Sequence, residues 1–174
     1  MSIPDAINGL TVTIIGLSAF ADTSLTSITV PNSVTNLADD AFASCASLTG
    51  VYFQGNAPSV GTDVFEGDNH ATVYYLAGTS GWGPTFDGLP TALWTPQVQT
   101  SDASFGVRNN QFGFTINWAS GMPVVVEAST RLANPTWTPL ATNTLASGSV
   151  YFNDPQWTNY PSRIHRPVRP ALRG

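Results

Sequence analysis

Three stretches of this chain follow one template. Leu25-x-x-Ile28-x-Val30 returns 23 residues later as Leu48-x-x-Val51-x-Phe53, and after another 23 as Ala71-x-x-Tyr74-x-Leu76. A second mark keeps step between them: Ala19-Phe20, Ala41-Phe42 and Val64-Phe65. Self-similarity at a period of this length predicts a solenoid, in which each unit is too small to bury its own apolar side and closes a core only by stacking on its neighbours. Such a coil presents a surface, so binding is the activity that any catalytic reading has to displace.

Each unit opens with a short alternating run, such as Leu25-Thr-Ser-Ile28-Thr-Val30, which reads as a strand with its apolar residues inward. Pro31-Asn32 ends it, because proline cannot donate to a ladder. A second apolar pair, Val34 and Leu37, precedes the Ala41-Phe42 mark. The connections are short and rich in Ser, Thr and Asn, so little helix is expected. In the first unit Ile3-Pro4 aligns with Val30-Pro31, and an insertion at 5–10 precedes Val12 and Ile15. On this reading Met1 is a cut point in a longer array, and its uncapped repeat is expected to self-associate. At the other end, Trp82, Phe86, Leu89, Leu93 and Trp94 stand among Gly and Pro turns at 77–95, and are expected to cap the open core.

Residues 96–174 have a different pattern. Phe112-x-Phe114-x-Ile116-x-Trp118 and Val124-x-Val126-x-Ala128 alternate with period two around a turn at Gly121-Met122-Pro123. Further strands are expected at 104–108, 136–141, 149–153 and 162–166. Short strands at this spacing predict an antiparallel β-sandwich. The fold expected is therefore mainly β: a leucine-rich-repeat solenoid of about three units with a C-terminal cap over 1–95, then a small β-sandwich over 96–174.

The array resembles the BspA-type leucine-rich repeats of bacterial surface proteins. The resemblance rests on Leu25-Thr-Ser-Ile28-Thr-Val30-Pro31-Asn32-Ser33-Val34 and on Ala41-Phe42-Ala43-Ser44-Cys45-Ala46-Ser47-Leu48. It implies a cell-surface or extracellular adhesion module belonging to a large secreted chain. The second unit resembles small fibronectin-like or Ig-like modules through Val124-Val-Val-Glu127, Trp137-Thr-Pro-Leu140 and Tyr151-Phe152-Asn-Asp154.

Charge removes several functions. Residues 1–95 contain eight carboxylates and no Lys or Arg, and the whole chain has no lysine. Schiff-base and P-loop chemistry are absent, and the first half repels nucleic-acid phosphates. The basic segment from Arg163 to Arg173 reads as a frayed tail. The single Cys45 forms no intrachain disulfide and is expected to be packed. No apolar run is long enough to insert in a membrane. No signal peptide opens the chain, so an export leader is expected upstream.

Catalytic arrangements are poorly supplied. The only histidines are His70, in a turn, and His165 near the end, and no Gly-x-Ser-x-Gly elbow accompanies them. Asp39-Asp40 and the group Asp63, Glu66 and Asp68 lie at turn positions, where Asp satisfies its own backbone and is expected to be solvated. The loop Asp63-x-x-Glu66-Gly67-Asp68-Asn69 offers oxygens for calcium but not with EF-hand spacing. No catalytic residue, cofactor or metal is assigned.

The repeat offers a better site. Residues flanking the inward positions point outward. Stacking therefore lines up Thr29, Tyr52 and Tyr75, beside Ser27, Gly50 and Val73, as an aromatic and hydroxyl platform for a protein or glycan ligand. Two alternatives stand beside it: a carbohydrate-binding accessory module of a secreted hydrolase, using Trp82, Trp94, Trp118 or Trp157, and a structural spacer.

Overall fold

The structure is a computed structural model and describes residues 1–170. It is mainly β, with three residues of 3-10 helix at Trp157–Asn159 among those described. The chain divides into two compact units, the first spanning Met1–Trp94 and the second starting at Thr95.

In the first unit, the strands are β1 (Ala6–Ile7), β2 (Leu10–Thr11), β3 (Ile14–Ile15), β4 (Ser27–Val30), β5 (Asn36–Leu37), β6 (Gly50–Phe53), β7 (Ser59–Val60), β8 (Thr72–Tyr75), β9 (Thr85–Phe86) and β10 (Leu89–Leu93). They coil as a solenoid. One parallel sheet runs β4-β6-β8-β10, with β9 antiparallel to β10 at its edge, and a second parallel sheet runs β3-β5-β7. A third column consists of turns that bond from one repeat to the next, as in Phe20 N–H to the Ala41 carbonyl at 2.8 Å and Phe42 N–H to the Val64 carbonyl at 2.9 Å.

The core explains the repeated residues. Ile28, Val30, Leu37, Leu48, Val51 and Val64 are buried between the columns. The phenylalanine marks form their own ladder: Phe20 on Phe42 and Phe42 on Phe65, each with ring centroids 5.3 Å apart and nearly parallel planes. That spacing is close to the separation of paired strands, so one coil step sets both. Cys45 is buried at the bend, its thiol donating to the Phe20 carbonyl at 3.0 Å.

The ends of the coil differ. At the C-terminal end Trp82, Phe86 and Leu89 lean on the core, with Phe53 5.0 Å from Trp82 and 5.7 Å from Phe86, while Leu93 stays exposed. At the N-terminal end Ser2 bridges to Thr29 in parallel, so Met1–Ile3 forms a rung beside β4. The insertion is the β1–β2 hairpin, whose Ile7 and Leu10 are exposed together with Ile14 and Leu17.

In the second unit the strands are β11 (Gln97–Gln99), β12 (Gly106–Arg108), β13 (Gln111–Asn117), β14 (Pro123–Ser129), β15 (Thr138–Thr144), β16 (Ser149–Asp154) and β17 (Ile164–Val168). Among the described residues its pairings are antiparallel. β13 carries β11 and β12 in succession along one edge and β16 along the other, while β14 sits between β15 and β17. Phe114, Ile116, Trp118, Ala119, Val124, Val126, Ala128, Leu145 and Phe152 are its buried apolar residues among those described.

The C-terminal segment is not the frayed tail expected from its arginines. Ile164–Val168 pairs with β14 from Val125↔Val168 to Ser129↔Ile164. Its polar side chains are held: Arg163 Nη1 and His165 Nε2 lie 2.8 and 2.9 Å from Asp154 Oδ2, all three side chains buried, and Arg166 pairs with Glu127 at 2.8 Å. The two arginine ion pairs and the His165 contact with Asp154 give the segment an anchor that charge counting alone did not reveal. Arg173, the last residue of that basic segment, lies outside the described residues.

Candidate functional site

The outer face of the β4-β6-β8-β10 sheet carries an aromatic ladder. Ile28, Val30, Val51 and Phe53 point inward and are buried, which sends Thr29 and Tyr52 outward in register, Thr29 opposite Tyr52. Opposite Tyr52 on the next strand stands Tyr74. The two rings stack with centroids 4.8 Å apart and planes within 9°. Trp94 leans on Tyr52 at 5.0 Å and 54°. Gly50, two residues before Tyr52, completes the fit: a methyl there would come within 2.8 Å of Tyr52 Cε2, so the ring lies along the strand over the glycine. Partial burial, and then the neighbouring Tyr74, raise the Tyr52 hydroxyl above its ordinary pKa, so this phenol stays a protonated hydrogen-bond donor at neutral pH.

This is a correction to the Thr29–Tyr52–Tyr75 alignment. Tyr75 pairs with Phe53, not Tyr52, and stacks on Trp82 at 5.3 Å and 11°. Val73, expected outward, pairs with Val51 and is fully buried. The reason is one missing residue. The opening residue precedes the first inward strand residue by three positions in Leu25–Ile28 and Leu48–Val51, but by two in Ala71–Val73. A slip of one residue moves every side chain of a strand to the other face. The signal was present in Ala71-Thr-Val73, a small apolar alternation that already assigns Tyr74 outward.

The carboxylates of the turns are separated in character. Asp40 and Asp63 occupy left-handed backbone, with φ of 55° and 53°. Asp39 Oδ1 accepts from Thr62 N–H at 2.8 Å, and Asp87 Oδ2 accepts from Phe65 N–H at 3.2 Å. These are local and inter-repeat caps. Asp68 differs from the solvated turn residue expected: it is 2% exposed, and neither carboxylate oxygen has a hydrogen-bond partner. Burial raises its pKa from 3.8 to about 6, tempered by the nearby Cys45 backbone. Among the described residues no group of three or more His, Cys, Asp or Glu is placed to hold a metal ion.

The remaining candidates are dispersed. His70 is exposed, and His165 is enclosed by Phe112, Phe114 and Phe152 while its Nε2 meets Asp154. Of the tryptophans considered as a sugar platform, Trp118 is buried, Trp157 packs on Phe112 at 5.4 Å, and Trp82 lies between Tyr75, Phe53 and Phe86 with its N–H donating to Thr79 Oγ1. Only Trp94 joins the outer ladder.

Residues 4–80 match the family model described as BspA type leucine rich repeat region (6 copies). No curated protein and no solved structure matches the chain.

Proposed function

We propose that this chain is a non-enzymatic binding module of an exported bacterial surface protein, in which the repeats of the first unit engage a protein ligand in adhesion and the second unit is a small β-sandwich module. The observation that carries the reading is the stacked Tyr52–Tyr74 pair on the outer face, with Thr29 and Trp94 beside it. The match of residues 4–80 to a repeat family typical of surface and adhesion proteins supports the location.

The geometry favours protein over glycan at this ladder. A sugar ring stacks on an open aromatic face. Here the facing sides of Tyr52 and Tyr74 cover one another and Trp94 adds to Tyr52, so edges and hydroxyls are what the ladder offers. Tyrosine in this role supplies rigid amphipathic contact at low entropic cost, as at protein–protein hot spots.

Binding of the chain to a panel of immobilised extracellular-matrix proteins tests this. A ligand seated on the ladder should survive added salt, because few ion pairs form, and should weaken by about 2 kcal/mol or more in Tyr52→Ala/Tyr74→Ala. Affinity that survives the double substitution but collapses with salt would move the function to the acidic turns. Absence of any ligand would leave the array a spacer. The apolar groove at the N-terminal end, about 270 Å³ and lined by Ile3, Ile7, Val12, Ile14, Ile15 and Phe20, supports self-association as a further property. Sedimentation showing a strict monomer at high concentration would exclude it.

A further inference from the structure

The second unit carries a sheet face unlike the ladder. Alternation along β13 and β16 places Phe114, Ile116 and Phe152 inward, leaving Gln111, Thr115, Asn117, Tyr151 and Asn153 on the outer side, with Gln99 of β11 beside Thr115. Around one aromatic ring this face is built of amides and hydroxyls; at its margin Arg108, opposite Gln111 on β12, lies within electrostatic reach of Asp102, whose carboxylate accepts from the Ser104 hydroxyl that in turn accepts from Thr115 N–H at 3.1 Å.

Tyr151 is laid down on this face. It stands opposite Thr115, but its phenol end reaches over Gly113, where a methyl would lie 2.6 Å from Cζ and collide with the hydroxyl. Tyr151 remains 48% exposed, and among the described residues no other aromatic stacks on its ring. Glycine at 113 therefore does for Tyr151 what Gly50 does for Tyr52, but here the ring is uncovered. Beside it Asn153 Nδ2 donates to Gln111 Oε1 at 2.6 Å. That pairing fixes both amides and leaves Asn153 Oδ1 as an acceptor and the Gln111 amide as a donor, the two functions a sugar hydroxyl answers at once.

We propose that the outer face of the β11-β13-β16 sheet is a binding site for a neutral saccharide, with one pyranose ring stacked on Tyr151 and its hydroxyls held by Gln111 and Asn153. The choice of ligand follows from the chemistry of the face. A nucleic acid or sulfated glycan needs clustered cations, and among the described residues Arg108 stands without a second one on this face. A hydrophobic peptide needs an apolar groove, and the residues around the ring are polar. A neutral, hydroxyl-rich ring with an apolar side satisfies the ring and the amides together and needs no cluster of like charges. The site is independent of the tyrosine ladder of the first unit.

Affinity electrophoresis and pull-down of the full chain on cellulose, xylan, mannan, starch and chitin test the proposal, with dextran sulfate as the charged control. The chain should be retained by at least one neutral polymer, with retention unchanged between low and high salt. Tyr151→Ala should weaken that retention at least tenfold, and Gln111→Ala/Asn153→Ala at least threefold. Tyr151→Phe, which keeps the ring, should stay within threefold of wild type and guards against a folding artefact in the alanine variant. Tyr52→Ala/Tyr74→Ala should bind the polysaccharide as wild type does, so loss of the ladder and loss of this site are read separately. No retention on any neutral polymer, retention insensitive to Tyr151→Ala, or retention by dextran sulfate alone would each overturn the proposal.

Discussion

The two units place the same device in different surroundings. In each, a tyrosine leans over a glycine two residues away in the ladder register, Tyr52 over Gly50 and Tyr151 over Gly113. In the coil the next strand repeats the position, so Tyr52 acquires Tyr74 as a stacking partner at 4.8 Å. In the antiparallel unit no such repetition exists, and Tyr151 is left open. Repetition turns an aromatic residue into a ladder of edges; its absence leaves a platform.

The same contrast governs charge. The second unit has arginines, and its buried Asp154 is answered by Arg163 and His165 at 2.8 and 2.9 Å. The first has no Lys or Arg through residue 95, and no salt bridge answers its buried Asp68 among the described residues. Without a counter-ion, burial disfavours the charged form of that carboxyl.

The largest expected effect breaks the first unit alone. Leu48 is buried in the middle repeat with neighbours on both sides. Leu48→Asp should cost more than about 4 kcal/mol, from the lost leucine and an unpaired buried charge. Thr49→Asp, one residue on and exposed, should cost under about 1 kcal/mol. Equal melting temperatures for the two would remove the repeat register.

The matching experiment on the second unit is Asp154→Ala, which leaves Arg163 buried without its counter-ion. A loss of about 3–5 kcal/mol is expected, with hydrogen exchange rising in 95–170 and unchanged in 1–94. Uniform loss of protection throughout would show that the units do not unfold separately.

Asp68 sharpens the comparison through pH. Its carboxyl is raised from 3.8 to about 6, so between those values the folded array keeps a proton that the unfolded chain has released. Stability from this group is therefore fullest below pH 3.8 and is lost as pH rises to about 6, by up to about 3 kcal/mol at about 1.4 kcal/mol per pH unit. Denaturant unfolding of wild type and Asp68→Asn from pH 3.5 to 7 should diverge in that direction, with the asparagine variant the more stable at pH 7. Parallel curves would mean that the buried carboxylate finds a partner in solution.

The smallest effect concerns the corrected register. Tyr74→Ala should lower stability by about 1 kcal/mol through loss of one stacked pair and should also weaken ligand binding. Tyr75→Ala, which loses its contact with Trp82 at the cap, should leave ligand binding intact. The reverse pattern in a binding assay would restore Tyr75 to the outer face.

Much of the coil was legible because the determinants are local and repeated. Inward Ile28, Val30, Val51 and Phe53, the proline stop after Val30 and the phenylalanine marks each recur where the fold needs them. The third repeat was misread because a fixed period of 23 hides a deletion of one residue, and faces alternate with period two. Asp68 was misread because a turn position says nothing of what the adjacent coil covers. The antiparallel unit was legible strand by strand, through Phe112–Trp118 and Val124–Ala128, but not in its pairing.

The sequence by itself determined that the repeats of the first unit coil as a solenoid, that residues 1–95 carry no Lys or Arg, and that the second half alternates as sheet. These follow from composition and periodicity, which act on each residue wherever its partners lie. Only the tertiary structure decided that Tyr74 rather than Tyr75 joins the ladder, that Asp68 is buried, that Ile164–Val168 docks on β14 with Arg163 and His165 on Asp154, and that Tyr151 lies open over Gly113. Each depends on which backbone runs alongside, a contact between residues far apart in sequence, and a single-residue shift in that contact reverses which side chains the solvent meets.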